Sequence, residues 1–346
     1  NTNGAETNSG VDGFIKSATG FGFGQVQANT TYIYVAIRRP MKTPEAGTEV
    51  FAMDTLGGTA PNPPGFNGLL VDWAWKRVRN TSDDWYSQSR LLGTRELKLN
   101  VADAESSAAD AKFDYQDGWN NSNGTLSTQL SWMFKRATGF FDVVAYTGNG
   151  VAGRTISHNL GVAPELMIFK NRSQNGDNWV VYSDVFSPAN YLKLNNTIYA
   201  VPDASNLRFN NTAPTDSVFT VGTSIETNFN GQTYISYHFA TLAGVSKVGS
   251  YTGTGADLDV DCGFSAGARF VLIKRSDSGG QGDWYVWDSA RGIVAGNDPY
   301  LLLNSTAAEV TNTDYIDPLA SGFTVTSTAP AALNASGGTY IFLAIA

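Results

Sequence analysis

The sequence lacks most of the features that identify membrane proteins, nucleic-acid-binding proteins and disulfide-stabilised domains. Among its 346 residues Cys262 is the only cysteine, so no disulfide can form within the chain. Charged residues make up only 16%, and the formal net charge of −8 argues against the basic face that nucleic acids and anionic membranes require. The longest apolar runs are much shorter than the ~20 residues that span a bilayer. We therefore expect no nucleic-acid partner and no membrane insertion.

What the sequence does contain is typical of short β-strands joined by tight turns. Glycine, asparagine, threonine and serine are abundant, lysine and glutamate are scarce, and aromatic residues reach 12%. This mixture favours strands and turns over helices. A chain of this length exceeds one ordinary core, so it predicts two to four domains.

One block of sequence is repeated at a period of about 105 residues, long enough for each copy to close its own core. The segment YTGNG at 146–150 recurs as YTGTG at 251–255, and DNWVVYSD, YLKLNNT and VFTVGTS recur as GDWYVWDS, YLLLNST and GFTVTST. A diverged copy precedes these two. The predicted modules are 41–138, 139–244 and 245–346, which we call the first, second and third units. Residues 1–40 match only the end of a preceding or incomplete module, so we expect the polypeptide to extend upstream.

The closing segment of each copy has the alternation of a β-strand with one core face. The predicted core residues are Ile33, Val35 and Ile37, then Ile235, Tyr237 and Phe239, then Ile341, Leu343 and Ile345. The short apolar runs ELMIF and RFVLI are typical of central strands in a sandwich. We therefore predict an all-β protein built of tandem antiparallel β-sandwich modules, jelly-roll or lectin-like, that follow one another as self-sufficient domains.

Residues 148–172, GNGVAGRTISHNLGVAPELMIFKNR, resemble a segment that recurs in phage tail fibre and tail-associated proteins. The later stretches DWYVWDSARG, YLLLNSTAAEV, GFTVTST and NASGGTYIFLAIA resemble a repeated module of unknown function in virion proteins of marine and cyanobacterial phages. The resemblance covers residues 141–346 well and the preceding unit loosely. It implies a structural protein of the virion surface, within a tail fibre or adhesin, and it offers no catalytic residues to carry over.

Candidates for chemistry are few, because the two histidines occupy unrelated positions of the repeat. His158 corresponds to Cys262, and His238 corresponds to Met133 and Ala344. A position served equally by methionine and alanine does not indicate catalysis. We interpret both histidines as core residues rather than members of a Ser-His-Asp triad or a metal site. We predict no catalytic residue, no metal site and no cofactor.

The carboxylates give little more. Glu105 and Glu309 share a repeat position, but the second unit has no glutamate there, so we interpret both as solvated loop residues. Asp257, Asp259 and Asp261 alternate along one predicted strand. They could bind calcium, but we favour a charged edge that discourages strand pairing with other chains.

The aromatic residues and glycines have structural interpretations as well. Trp85, Trp179 and Trp284 recur once per unit, as do Tyr191 and Tyr300, and we favour a core role over sugar stacking for them. The glycine-rich segment 20–24 lacks the helix and lysine of a phosphate loop and is interpreted as strand and turn. A ligand surface is expected in the loops that differ between units, 172–178 against 275–283 and 196–211 against 304–320.

Three functions remain open at this point. The first is a non-enzymatic fibre or adhesin that contacts a glycan or protein on the host surface. The second is a head fibre or capsid decoration, and the third, ranked last because no unique acidic cluster is present, is a polysaccharide-degrading tailspike. The expected partners are other virion proteins and further copies of the chain, with a trimer as the assembly that suits a fibre.

Overall fold

The computed structural model describes residues 15–17, 20–22, 42–55, 69–108, 111–113, 118–121, 128–277 and 282–346. The structure is 40% strand and 3% helix, and its several sheets are antiparallel, which confirms the all-β sandwich class. A hairpin of β1 (Ile15–Ser17) and β2 (Gly20–Gly22) stands first, with a strand where the sequence predicted strand and turn. The rest of the predicted module 1–40, including the core strand 33–37, lies outside the described residues.

The first unit contains one large sheet and a small hairpin. A short 3₁₀ helix (Gly47–Glu49) precedes the strands. The large sheet has the order β3-β10-β4-β5-β6-β7, and β8 pairs with β9. The strand bounds are β3 Phe51–Thr55, β4 Trp73–Val78, β5 Tyr86–Ser89, β6 Arg95–Lys98, β7 Ser106–Ser107, β8 Ala111–Lys112, β9 Asn120–Asn121 and β10 Gln129–Phe134.

The second unit repeats the large sheet with the order β11-β18-β13-β14-β15-β16, and β12 pairs with β17 to form a small sheet. The strand bounds are β11 Phe141–Thr147, β12 Arg154–Ser157, β13 Leu166–Asn171, β14 Val180–Ser183, β15 Asn190–Lys193, β16 Val201–Pro202, β17 Val218–Val221 and β18 Thr233–Phe239.

The third unit has a large sheet of order β19-β26-β21-β22-β23 and a small sheet of order β20-β25-β24. One helical turn, α1 (Ala331–Asn334), precedes the last strand. The strand bounds are β19 Ser246–Thr252, β20 Leu258–Asp261, β21 Phe270–Arg275, β22 Trp284–Asp288, β23 Leu301–Leu302, β24 Ile316–Leu319, β25 Gly322–Val325 and β26 Thr339–Ile345. The runs ELMIF and RFVLI supply β13 and β21, which are central strands as predicted.

Each large sheet buries both of its faces, and the outer face packs within its own unit. In the third unit Tyr340, Phe342 and Ala344 point outward from β26 and pack with Phe323 and Val325 of the small sheet. In the second unit a separate cluster joins β13 and β14 to β12 and β17. These outer cores make each unit a two-layer sandwich.

The inner faces of the three large sheets pack against one another and form one shared core. This core contains the predicted residues Ile235, Tyr237, Phe239, Ile341, Leu343 and Ile345 together with the aromatic side chains of the first unit. Trp73 stacks on Tyr237, with ring centroids 3.9 Å apart, and Phe51 meets Phe270 edge-on at 5.3 Å. The expectation that each unit buries its apolar strands by itself is therefore wrong. The alternating pattern shows that a face is apolar, but not whether the surface that covers it belongs to the same unit.

The boundaries between the units are closed by the same hydrogen bond, repeated three times. In each unit a tryptophan indole N–H donates to a backbone carbonyl of a neighbouring unit. The acceptor always lies two residues before an asparagine. Trp179 Nε1 donates to Lys98 O (2.8 Å), Trp284 Nε1 to Lys193 O (2.9 Å) and Trp85 Nε1 to Leu302 O (2.8 Å). The second unit thus bonds to the first, the third to the second and the first to the third. A head-to-tail contact that returns to its start closes a ring.

The ring has two different ends. The unit connections 135–140 and 240–245 lie at one end, which we call the linker end, because β11 and β19 begin there and β10, β18 and β26 finish there. The segment before β3 also lies there, since a Cβ on Gly47 would stand 1.9 Å from the carbonyl oxygen of Ala346. Only glycine allows this close approach. The opposite end, which we call the loop end, carries the turns that follow β11, β13, β19 and β21.

Candidate functional site

Glu105 and Glu309 lie at unit boundaries and form ion pairs across them, so the interpretation as solvated loop residues is wrong. Glu105 Oε2 accepts a hydrogen bond from Arg172 Nε at 2.7 Å, and both side chains are mostly buried. Glu309 lies 4.0 Å from Arg79, the residue equivalent to Arg172. The backbone N–H groups of both glutamates also donate to the carbonyls of these arginines. The two glutamates therefore hold neighbouring units together, at two different boundaries.

The absence of this glutamate from the second unit has a structural reason. Its position is occupied by Ala200, whose backbone N–H donates to Ser276 O at 3.0 Å, as the glutamates do to their arginines. Ser276 stands where Arg79 and Arg172 stand in the other units. The acid and its basic partner are both missing from the same boundary. The repeat therefore keeps or loses the ion pair as a whole.

His158 and His238 lie beside each other in the second unit, with ring centroids 5.6 Å apart. His158 Nε2 lies 3.0 Å from Thr215 O, and burial lowers the pKa of His158. His238 is fully buried, its Nε2 lies 2.8 Å from Ser236 Oγ, and its Nδ1 has no partner among the described residues. Burial, with the neighbouring His158 and then Arg136, holds the pKa of His238 well below its usual value. The two histidines are core residues, as the sequence predicted.

The structure contains three buried cations at equivalent positions, which the sequence analysis did not predict. Arg77, Lys170 and Lys274 occupy equivalent positions on β4, β13 and β21 and are fully buried. Lys170 Nζ donates to Asp177 O (2.7 Å), and burial lowers its pKa to about 8 and that of Lys274 to about 7. Arg77 donates to Ser305 O in the third unit at 2.9 Å. Because every unit has such a cation bound to backbone carbonyls, we assign these residues to structure rather than to chemistry.

Asp257, Asp259 and Asp261 are exposed on and next to β20, the edge strand of the small sheet. Their carboxylates accept separate hydrogen bonds, from Ser327 N, Thr324 Oγ1 and Gly263 N respectively. Across the described ranges no group of three His, Cys, Asp or Glu side chains could hold a metal ion. Nor does the described part of the chain include a helix long and apolar enough to cross a membrane.

The recurrent aromatic residues lie inside the protein. Trp85, Trp179 and Trp284 are at most 1% exposed, in the shared core. Tyr191 is half-buried under the guanidinium of Arg208, 3.7 Å from its ring, and Tyr300 packs against other aromatic rings of the third unit. The three tryptophans therefore present no stacking surface to a ligand, and the two tyrosines are partly covered by protein neighbours.

The loop end of the second unit is organised around Asn228, which is fully buried. Its Oδ1 accepts from Asn149 N (3.0 Å), and its Nδ2 donates to Val151 O (2.9 Å) and Gly222 O (2.7 Å). One amide thus fixes two loops, 148–153 and 222–232. Asn334 makes the equivalent bonds to Thr254 N, Ala256 O and Thr326 O in the third unit.

The two loops that Asn228 holds expose three large apolar side chains. Val151 is 58% exposed, Phe229 49% and Ile225 36%. The equivalent residues of the third unit follow from matched hydrogen bonds: Tyr234 Oη links Ile225 O to Phe229 N, and Tyr340 Oη links Ala331 O to Ala335 N. All three positions are alanine in the third unit: Ala256, Ala331 and Ala335. We call Val151, Ile225 and Phe229 the apolar patch. Comparing the two copies residue by residue could have found it from the sequence.

The surroundings of the apolar patch are polar, and the charge nearest to it is the guanidinium of Arg154. Arg154 donates to Thr147 O and lies over the Tyr146 ring. Nearby, Arg208 is paired with Asp203 and Glu226, which are both buried. Of the loops expected to carry a ligand, 172–178 and 196–211 border this region, and 278–281 lie outside the described residues.

Comparison with known families adds one finding. The model of a domain of unknown function, DUF7483, matches residues 114–346, from the last strands of the first unit to the end of the third. No curated protein matches the chain.

Proposed function

For this chain, which belongs to the DUF7483 family, we propose a non-enzymatic role as a structural protein of a virus particle, in a tail fibre or adhesin that contacts the host surface. Its basis in the sequence is the resemblance of residues 141–346 to repeated modules of phage virion proteins. The family match names no activity, and the structural support for this role comes from the arrangement of the ring.

The observation that carries the proposal is that the two ends of the ring differ. The connections between units, the segment before β3 and Ala346 all lie at the linker end. The loops 148–153 and 222–232, whose exposed apolar side chains are alanine in the third unit, lie at the loop end, held by a frame of hydrogen bonds that the second and third units share. A body with its unit connections at one end and variable exposed side chains at the other suits a protein that presents loops to a surface.

The repeated residues support the same conclusion. The tryptophans, Glu105 and Glu309 join the units, the buried cations bind backbone carbonyls, and both histidines are buried. What recurs is therefore structural, and what varies is exposed. An enzyme would instead need one unit to combine a nucleophile or carboxylate pair with a proton acceptor in an open cleft.

The proposal is tested by locating the protein on particles. Antibody raised against the whole chain and conjugated to gold is applied to purified particles from the source culture. Label at tail tips or fibres is the expected result. Label on heads would indicate a head fibre or capsid decoration instead of an adhesin. A virion role would be refuted if the particles carried no label and mass spectrometry found no copy of the chain in them. Release of reducing ends from host capsular polysaccharide would instead indicate a tailspike enzyme.

A further inference from the structure

We propose that the apolar patch and its neighbouring asparagines form a binding site for an uncharged saccharide at the loop end of the second unit. The inference rests on the proposed function in that it supplies the ligand of an adhesin.

The first step is that the apolar patch is specific to one unit. The second and third units hold their loops with the same buried asparagine and the same tyrosine hydroxyl. The fold therefore does not require Phe229, because Ala335 stands in the same frame. A single exposed apolar residue would be ordinary, but three large ones in two loops held together, at positions where alanine suffices for folding, are typical of an interaction site.

The second step concerns the polar groups beside it. A Cβ on Gly150 would lie 3.4 Å from Asn230 Cβ, and a Cβ on Gly153 would lie 3.6 Å from Asn210 Nδ2, so asparagines flank the loop that carries Val151 on both sides. Neither side-chain amide has a hydrogen-bond partner in the described part of the chain. Each amide offers both donors and an acceptor. In the third unit Ser336 takes the place of Asn230.

The third step is the choice of ligand. A pyranose ring presents an apolar face of C–H groups and a rim of hydroxyls that both donate and accept hydrogen bonds. An exposed aromatic ring with amides around it matches both features. None of the three patch side chains and neither asparagine is charged, which favours a neutral sugar. Arg208 is neutralised by Asp203 and Glu226, and Arg154 donates to Thr147 O and Asn228 Oδ1, so the charged comparison in the test shows whether Arg154 also attracts an acidic sugar.

The size of the patch argues against a protein partner. Three side chains at these exposures present on the order of 300 Å² of apolar surface, whereas a stable protein interface buries about 800 Å² on each partner. Because Asn228 fixes both loops before a ligand arrives, little ordering is needed on binding.

The test uses the full chain and saturation-transfer NMR with methyl glycosides of glucose, galactose, mannose and N-acetylglucosamine, with glucuronic acid as the charged comparison. At least one neutral glycoside is expected to bind. Phe229→Ala is expected to weaken it about tenfold, and Asn230→Ser to weaken it less. Both substitutions install the residue of the third unit, so the thermal unfolding midpoint should stay unchanged. Val294→Ala is the matched control. It removes another exposed apolar side chain, in the loop between β22 and β23 of the third unit, and should leave binding intact.

Two outcomes would overturn the inference: neutral glycosides that bind equally well to Phe229→Ala, or no glycoside binding at all. If sedimentation instead shows that Phe229→Ala dissociates a wild-type oligomer, the patch is a contact between copies of the chain. The proposed function fails separately, through the gold-labelling result. Fibre label without sugar binding removes only this inference, and sugar binding that depends on Phe229 without label on particles removes only the virion role.

Discussion

The second and third units have almost the same inward contacts and different outward surfaces. Trp179 and Trp284 make equivalent hydrogen bonds to neighbouring units, and Asn228 and Asn334 hold equivalent loops. At the loop end, however, Phe229 faces solvent where the third unit has Ala335. Side chains that must fit a neighbouring unit are restricted by close packing, and those at the loop end are not. The contrast separates the residues that build the ring from those available for binding.

The largest expected effect comes from breaking the shared core. Trp73→Ala removes a fully buried ring of the first unit that stacks on Tyr237 of the second, which should cost about 3–5 kcal/mol of unfolding free energy. Urea unfolding followed by circular dichroism measures the loss. Hydrogen exchange should show faster opening in the second unit as well. Phe229→Ala is the surface control and should change stability by less than about 0.5 kcal/mol.

Independent units would respond differently. If exchange in β11 and β18 of Trp73→Ala matched the wild-type rates, the units would be self-sufficient after all, and the shared core would contribute nothing to cooperativity.

Removing the tryptophan hydrogen bonds that join the three units should give the next largest effect. Trp85→Phe, Trp179→Phe and Trp284→Phe each leave a buried carbonyl of a neighbouring unit without its donor, at a cost of about 1–3 kcal/mol. Because the three bonds are equivalent, the three losses should be similar when measured by the same urea titration. A variant with wild-type stability would show that its boundary does not depend on the bond.

Lowering the pH should reduce the stability of the protein through the buried histidine pair, which only the second unit has. The pKa of His238 is lower in the folded protein than the ordinary value of about 6.5. The unfolded chain therefore binds more protons below pH 6.5, and stability falls with decreasing pH by about 1.4 kcal/mol per pH unit until the folded pKa is reached. His238→Met, which installs the residue of the first unit, should flatten this dependence.

Other groups also titrate in this range, so the informative quantity is the difference between the two chains. Unfolding free energies are compared at pH 7.5, 6.5, 5.5 and 5.0. Parallel curves for wild type and His238→Met would mean that His238 is protonated equally easily in both states.

The smallest effect concerns the boundary that lacks an ion pair. Ala200→Glu together with Ser276→Arg should recreate the pair seen at the other two boundaries, with a favourable coupling energy of about 0.5–1 kcal/mol in a double-mutant cycle. Each single substitution serves as the control and should not stabilise the protein. A coupling energy of zero would show that geometry at this boundary differs from that at Glu105 and Arg172.

The fold was largely predictable from the sequence because its signals are local or periodic. Alternation along 234–239 and 340–345 identified the inward residues, and turn residues separated the strands. The match of His238 with Met133 and Ala344 was enough to predict a core histidine. These conclusions need only the repeat and the two-residue period of a strand.

The site was much less predictable, since it depends on contacts between residues far apart in the chain. Glu105 appeared solvated because its partner Arg172 comes from another unit. Phe229 and Val151 lie 78 positions apart, and their loops are joined by Asn228, which directly precedes Phe229 and donates to Val151 O.

By itself, the sequence determined that this is a repeating β-protein with apolar strand faces, because side-chain alternation and turn chemistry act over a few residues. Only the tertiary structure decided that three such faces cover one another in a closed ring. An apolar face can be buried equally well by its own unit or by the next, and it is the packing between sheets, with its hydrogen bonds across the boundaries, that selects between the two.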